Sequence, residues 1–325
     1  MNQKINVGII GGAGYTAGEL LRILLNHPKV EILFVHSSSQ QGKAISTIHS
    51  DLIGESSLNF TSEFSLDRVD VLFFCQGHGK AKEFMDSHAI PSHLSIIDLS
   101  RDYRLKEEGN SFVYGLPELN REAIQKSTRV ANPGCFATCI QLGLLPLASE
   151  GALPEEVHIH AITGSTGAGQ NPSPTTHFSW RNNNLSIYKA FTHQHLGEIR
   201  QSLEQLQNDF SGELNFIPLR GNFSRGIYAS IYLNYPNTEQ TALKLYNAYY
   251  APHPFVWVQP EIPHLKQVAN TNKCVLSISH HGDKLLIVSA IDNLLKGASG
   301  QAVQNLNLMY DWEETLGLRL KGNAF

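Results

Sequence analysis

The N-terminal segment constrains the fold of this chain more than any other stretch. Asn6–Ile10 is a short apolar run, and Gly11-Gly12-Ala13-Gly14 follows it directly. The next residues, Tyr15-Thr16-Ala17-Gly18-Glu19-Leu20-Leu21-Arg22-Ile23-Leu24-Leu25, set Leu20, Leu21, Leu24 and Leu25 at helical spacing, and His27-Pro28 ends the segment. A strand turned by glycines into a helix is the opening unit of a dinucleotide-binding βαβ motif. Gly12-Ala13-Gly14-Tyr15-Thr16-Ala17 matches that fingerprint, with alanine at the third small position. Glycine lets the backbone approach a pyrophosphate, and the N–H groups at the helix start bind it. Several glycines in a row also make plain tight turns, and here the flanking strand and helix select the cofactor reading. Gly11, Gly12, Ala13, Gly14, Tyr15 and Thr16 are therefore expected to form the cradle.

Strands and helices go on alternating through the first half. Val30–Val35, Val69–Cys75 and Ser95–Leu99 read as strands, and Lys80–His88 reads as a helix, which together imply a parallel, doubly wound α/β sheet of Rossmann type. The ribose end of the cofactor falls where the second strand finishes. An NAD site usually carries an acid there, but the nearest one, Glu31, lies at the strand's start. Ser37, Ser38, Ser39 and Lys43 stand in its place. Hydroxyls and a lysine suit a 2′-phosphate better than a bare diol, so the expected cofactor is NADP(H). The competing reading is a serine-rich surface loop.

A second stretch, Ala131-Asn132-Pro133-Gly134-Cys135-Phe136-Ala137-Thr138, brings a cysteine out of a tight turn into an apolar run, Cys135 to Leu147, that predicts a helix. A thiol at a helix N-terminus sits among unpaired N–H groups at the positive end of the macrodipole, which favours the nucleophilic thiolate. A small buried hydrophobe is the usual role of a lone cysteine, and Cys139, one turn later, is read that way. With the dinucleotide turn, Cys135 points to thiol-based redox chemistry on a carbonyl.

Beyond Cys135 the pattern changes. Val157–Ile162, Ile227–Tyr235, Cys274–Ser279 and Leu285–Ile291 are β-rich, and His281-Gly282-Asp283 is a hairpin turn between the last two. His195–Gln207 and Thr241–Tyr250 look helical. Runs of strands with few interleaved helices predict an α+β domain, an antiparallel sheet with helices on one face. Leu295 to Leu316 reads as an amphipathic helix carrying Val303, Leu306 and Met309. A chain of 325 residues is about two domains long. Its net charge of -4 gives no electrostatic footprint for nucleic acid or an anionic membrane. Met1–Lys4 does not open a leader segment, no apolar run reaches spanning length, and four scattered cysteines make no disulfide framework. The expectation is a reduced, cytoplasmic enzyme.

Several blocks resemble one family. They are Asp98-Leu99-Ser100-Arg101-Asp102-Tyr103-Arg104-Leu105, Tyr114-Gly115-Leu116-Pro117-Glu118-Leu119, the Cys135 octapeptide, Gly164-Ser165-Thr166-Gly167-Ala168-Gly169, His193-Gln194-His195-Leu196-Gly197-Glu198-Ile199 and Asp292-Asn293-Leu294-Leu295-Lys296-Gly297-Ala298. In this order they resemble the N-acetyl-gamma-glutamyl-phosphate reductases from end to end. Aspartate-semialdehyde dehydrogenase is the nearest sister, and glyceraldehyde phosphate dehydrogenase shares the broader plan. The resemblance implies NADPH-dependent reduction of an acyl phosphate to an aldehyde in arginine biosynthesis, through a thioester on Cys135. It implies an NADP-binding Rossmann domain of residues 1–134 plus about 296–325, and a catalytic and oligomerisation α+β domain of residues 135–295. Chemistry would occur in the cleft between them, and the chain would form a homodimer or homotetramer.

The same resemblance distributes the other roles. His193 and His195 fall in an active-site segment, and His195, at a helix start beside Glu198, is favoured as the acid/base. HxH also invites a metal, but no companion ligands stand at ligand spacing, so none is expected. Arg104, Arg220 and Arg225 are candidates for the substrate's phosphate and carboxylate, with Asn132 and Glu198 beside them. Asn293 would hold the nicotinamide carboxamide, and Gly167, in the Ser165–Gly169 turn, would lie against the cofactor. Phe136-Ala137-Thr138, Gln194 and the polar segment Thr176–Asn184 depart from the commonest family pattern. They leave the acyl group open between acetyl, succinyl and others. The rival readings are an aspartate-semialdehyde dehydrogenase and a dinucleotide-binding sensor with an inert Cys135.

Overall fold

The structure, a computed structural model, describes residues 4–323. The first three residues and the last two, which the expected domain boundaries include, lie outside the described residues. The chain divides into two compact units, Met1–Pro133 with Ala298–Arg319 and Gly134–Gly297 with Leu320–Phe325. Among the described residues no helix is long and apolar enough to cross a membrane.

The first unit is built on a parallel sheet. Its strands are β1 (Ile5–Ile10), β2 (Val30–His36), β3 (Phe60–Thr61), β4 (Val71–Phe74), β5 (Ser95–Asp98), β6 (Val113–Tyr114) and β7 (Arg129–Ala131), in the order β3-β2-β1-β4-β5-β7-β6. Every pairing is parallel. Helices α1 (Tyr15–Leu24), α2 (Lys80–Ser87) and α3 (Pro117–Gln125) connect strands. All residues of β4 and β5 are buried, as expected of central parallel strands covered on both faces. The two-residue strands β3 and β6 are too short to show a periodic signal in the sequence.

In the second unit, α4 (Cys135–Ser149) precedes β8 (Glu156–Thr163). The short helix α5 (Phe178–Arg181), β9 (Ser186–Ile187), α6 (His195–Leu206), β10 (Glu213–Arg220) and β11 (Ile227–Asn234) follow. Then come α7 (Glu239–Tyr250), β12 (Val256–Val258), the short helix α8 (Leu265–Val268), β13 (Cys274–His281) and β14 (Lys284–Ile291). The sheet order is β12-β13-β14-β11-β8-β10-β9. It is mixed rather than antiparallel, because β10 runs parallel to β8 and β12 parallel to β13. The sequence reading had no strand at β10 or β12, so both parallel pairs escaped it. The expected hairpin forms between β13 and β14, with Gly282 at φ +64°.

Helix α4 is apolar all round and buried from Phe136 to Ala148, lying against β11 and β14 and against α6 and α7. Pro146 inside it has no N–H for the Leu142 carbonyl. The Tyr250 hydroxyl donates to that carbonyl at 2.5 Å, and the Tyr246 hydroxyl donates to the Gly143 carbonyl at 2.5 Å. Two tyrosines of α7 thus satisfy the backbone that proline disturbs.

The C-terminal helix corrects the sequence reading. A π-helical turn, Leu295–Ser299, leads into α9 (Gly300–Met309), and the chain beyond it is irregular instead of helical to Leu316. Helix α9 has no solvated polar face. Gln301, Gln304, Asn305 and Asn307 are all fully buried. Asn307 Nδ2 donates to the Glu314 and Leu316 carbonyls, Gln304 Nε2 to Glu314 Oε1, and Asn305 Nδ2 to the Gly115 carbonyl. The amides that mimic a surface stripe are internal fasteners, since a buried amide is tolerated where it finds partners.

Candidate active site

Cys135 is the first residue of α4, where the orphan N–H groups and the macrodipole favour its thiolate. The preceding Gly134 is extended, at φ −71° and ψ 150°, and its N–H donates to Glu198 Oε2 at 2.8 Å. The other carboxylate oxygen of buried Glu198 lies 3.8 Å from His195 Nε2. A Cβ on Gly134 would lie 2.3 Å from His195 Nε2 and 2.7 Å from its Cδ2, so the imidazole occupies the space that any side chain at 134 would need. A Cβ on Gly297 would lie 2.8 Å from Cys135 Cβ. The half-buried thiol residue is therefore closely approached by Gly297, and the glycine before it by an imidazole with a buried carboxylate 3.8 Å away.

A second group surrounds His193. Its Nδ1 accepts the His195 N–H at 3.2 Å, and its ring packs against those of His195, Phe136, Tyr188 and Phe216. Burial, helped by the charges of Lys189 and Arg220, pushes His193 down to about 4. His193 is therefore neutral at neutral pH and fills space beside its neighbour. The Arg220 guanidinium lies over the Tyr188 ring, 4.6 Å from its centre. The Tyr188 phenol is pushed up to about 12, by burial first and then by the negative charge of Cys135, with Arg220 opposing. Arg220 Nε is buried without a hydrogen-bond partner among the described residues.

In the first unit the glycine turn has the dimensions of a dinucleotide cradle. Gly11 sits at φ +83°, and a Cβ there would lie 2.9 Å from the Cys75 carbonyl carbon. The N–H groups of Gly11 and Gly12 both donate to the His36 carbonyl. A Cβ on Gly12 would overlap Val35 Cγ1 at 2.2 Å, whereas one on Gly14 would meet only the Cys75 carbonyl, at 3.9 Å. The start of α1 is thus pressed onto the sheet on one side and left open to a ligand on the other. Ala17 is fully buried, as close helix–sheet packing requires. Past β2, Ser37 is buried, Ser38 and Ser39 are exposed, and exposed Lys43 donates to Gln40 Oε1 at 3.0 Å. His36 Nδ1 is buried there without a partner among the described residues. These groups fit the phosphates and ribose of NADP(H).

A family model described as the semialdehyde dehydrogenase NAD binding domain matches residues 6–127, and one described as the semialdehyde dehydrogenase dimerisation domain matches residues 135–293. Proteins of Phocaeicola vulgatus and Bacteroides thetaiotaomicron named N-acetyl-gamma-glutamyl-phosphate reductase are each 60% identical over 321 residues, spanning 99% of this chain and 100% of theirs. The chain belongs to the N-acetyl-gamma-glutamyl-phosphate reductase family. The resemblance read from the motif blocks is borne out. The fold is shared with aspartate semialdehyde dehydrogenase II of Vibrio cholerae, solved as a complex with ASA, at a TM-score of 0.76 and 17% identity over 95% of this chain and 99% of that one. It is shared also with aspartate semialdehyde dehydrogenase of Candida albicans, solved with NADP, at a TM-score of 0.72 and 14% identity over the same shares. At these identities the likeness is one of fold.

Within this reductase-family chain, several residues expected at the substrate have hydrogen-bond partners in the protein itself. Arg225 makes a two-pronged pair with fully buried Asp292, at 3.0 and 3.2 Å, and Asp292 also accepts the N–H groups of Asn270, Leu294 and Leu295. Arg104 donates to the Asn132 and Leu99 carbonyls, both at 2.8 Å. The Asn132 side chain donates to the Ala298 carbonyl and accepts from Asn305. Glu198 is spent on Gly134 and His195. Asn293 accepts the Gly226 N–H and donates to Thr166 Oγ1, and exposed Gly167 lies in the adjacent turn. Of the three candidate arginines, Arg220 lies beside the His193 group, over Tyr188. Among the described residues no cluster of three or more His, Cys, Asp or Glu is arranged to hold a metal ion. The sequence reading missed Tyr188 and Lys189, which lie in no motif. The short pairing of β9 with β10, Ser186 opposite Arg220, and the bond from the Tyr188 N–H to the Pro218 carbonyl bring them there.

Proposed function

We propose that this chain reduces N-acetyl-gamma-glutamyl phosphate to N-acetyl-glutamate semialdehyde and phosphate with NADPH, in arginine biosynthesis, as a cytoplasmic homodimer or homotetramer. The observation that carries the reading is Cys135 at the start of buried α4, with His195 against Gly134 and paired to Glu198. His195 takes the thiol proton, with Glu198 stabilising the resulting imidazolium. The thiolate attacks the γ-acyl carbon, the carbon–oxygen bond to phosphate breaks, and a thioester remains on Cys135. Gly11–Thr16, Ser37–Ser39 and Lys43, with Gly167 and Asn293 at the nicotinamide, would hold NADPH, which would supply the hydride for reduction of this thioester. His195 protonates the thiohemiacetal oxygen, and then receives the hydroxyl proton as the carbon–sulfur bond breaks and the thiolate is regenerated. Arg220 binds a substrate anion. Neutral His193 fixes the ring of His195 and takes no proton. Arg104, Asn132 and Arg225 hold the turns that carry the site.

The test is oxidation in reverse, with NADP and inorganic phosphate, of N-acetyl-glutamate semialdehyde, its N-succinyl analogue and aspartate semialdehyde. Phosphate-dependent NADPH formation on the N-acetyl compound, lost in Cys135→Ala, supports the proposal. Preference for the succinyl compound changes the acyl group, and activity on aspartate semialdehyde alone overturns the substrate. An inert Cys135 in a chain that still binds NADP would make it a sensor.

A further inference from the structure

Gly18 is an odd residue to find inside the first turns of α1, where glycine costs helix stability and the fingerprint asks only for a small residue at Ala17. The structure supplies the reason. A Cβ at position 18 would lie 2.6 Å from His49 Nδ1 and 2.9 Å from its Cε1. His49 is buried, comes from the irregular stretch between β2 and β3, and stands just before a short helical turn, Ser50–Leu52. Its Nε2 lies 2.7 Å from the Gly12 carbonyl oxygen, and its ring rests near Phe60. At that distance from a carbonyl, Nε2 carries the proton and donates.

We propose that His49 is a positioning residue for the cofactor, latching the glycine turn by its bond to Gly12. A trans peptide points its C=O and N–H in opposite directions. Holding the Gly12 carbonyl toward His49 therefore turns the Ala13 N–H the other way. It also keeps a carbonyl oxygen turned away from a pyrophosphate that would repel it. Gly18 is the notch that admits the ring. The inference rests on the reading that NADP(H) binds this turn.

The test measures NADP binding to the whole chain by isothermal titration calorimetry, beside steady-state kinetics. His49→Ala should raise the dissociation constant and the NADPH KM about tenfold, the equivalent of one buried hydrogen bond. His49→Gln, whose amide places a donor near Nε2, should restore most of the affinity. The KM for acyl phosphate and the alkylation rate of Cys135 should stay at wild-type values in both. Gly18→Ala keeps the histidine and improves helix propensity, yet should weaken NADP binding by displacing the ring. Wild-type affinity in Gly18→Ala or His49→Ala, or a His49→Gln variant as weak as alanine, overturns the latch. A wild-type chain that binds no NADP overturns the cofactor reading as well.

Discussion

Replacing Gly134 with alanine tests the site through one methyl group. The backbone at 134 is in an ordinary extended conformation, so alanine brings no torsional strain. What it brings is a Cβ 2.3 Å from His195 Nε2, 2.6 Å from Cε1 and 2.7 Å from Cδ2. Unstrained heavy-atom contacts lie near about 3.5 Å, so the ring or the glycine must retreat by roughly 1 Å. His195 is buried with the His193 ring 4.6 Å away, which limits the ring's retreat. Retreat of the backbone instead stretches the Gly134–Glu198 bond. Either movement misaligns thiol and imidazole, and a misplacement of about 1 Å costs on the order of 100-fold in rate. The assay is kcat/KM with the acyl phosphate, together with the pH dependence of iodoacetamide alkylation of Cys135, which reads the thiol–imidazole coupling without cofactor. A folded Gly134→Ala variant whose kcat/KM stays within about twofold of wild type would refute the placement of His195.

Further outcomes follow from the same geometry. Arg220→Lys should raise the acyl-phosphate KM about tenfold and leave the NADPH KM alone, because an ammonium does not reproduce the guanidinium over Tyr188; an unchanged acyl-phosphate KM would remove Arg220 from the substrate. His193 should contribute a pH dependence to stability. Its folded value of about 4 lies below the unfolded 6.5, so its contribution is complete above about 6.5 and lost as pH falls toward 4. Urea titrations across that window should show a shallower loss in His193→Asn. The pH–rate profile near neutrality should keep its shape in that variant, because a neutral ring does not titrate there. Tyr250→Phe strands the Leu142 carbonyl that Pro146 leaves without its helical donor, and should lower unfolding free energy by about 1–3 kcal/mol in urea titrations.

Much of the candidate site was legible because the residues proposed to carry its chemistry lie in short stretches close in sequence. The glycine turn before α1 and the Asn-Pro-Gly turn before Cys135 are each a loop feeding a helix N-terminus, and their residue types carry the reason. Other parts were hidden for physical causes. Arg225 and Arg220 lie five residues apart in one polar stretch, and nothing local says that one pairs with Asp292 while the other lies over Tyr188. Gly18 looks like a flaw in a helix until His49, from beyond β2, fills the space beside it. Helix α9 reads as amphipathic because the sequence shows amides but not the carbonyls they meet.

The sequence by itself determined the parallel dinucleotide-binding sheet, the candidate nucleophile and the family, because short-range periodicity, turn chemistry and linear motifs are properties of neighbouring residues. The tertiary structure decided that His193 stays neutral, that Arg225 pairs with Asp292 while Arg220 lies over Tyr188, and why Gly134 and Gly297 must lack side chains. Those outcomes depend on burial and on ångström-scale approach between segments far apart in the chain, and neither quantity exists until the chain has folded.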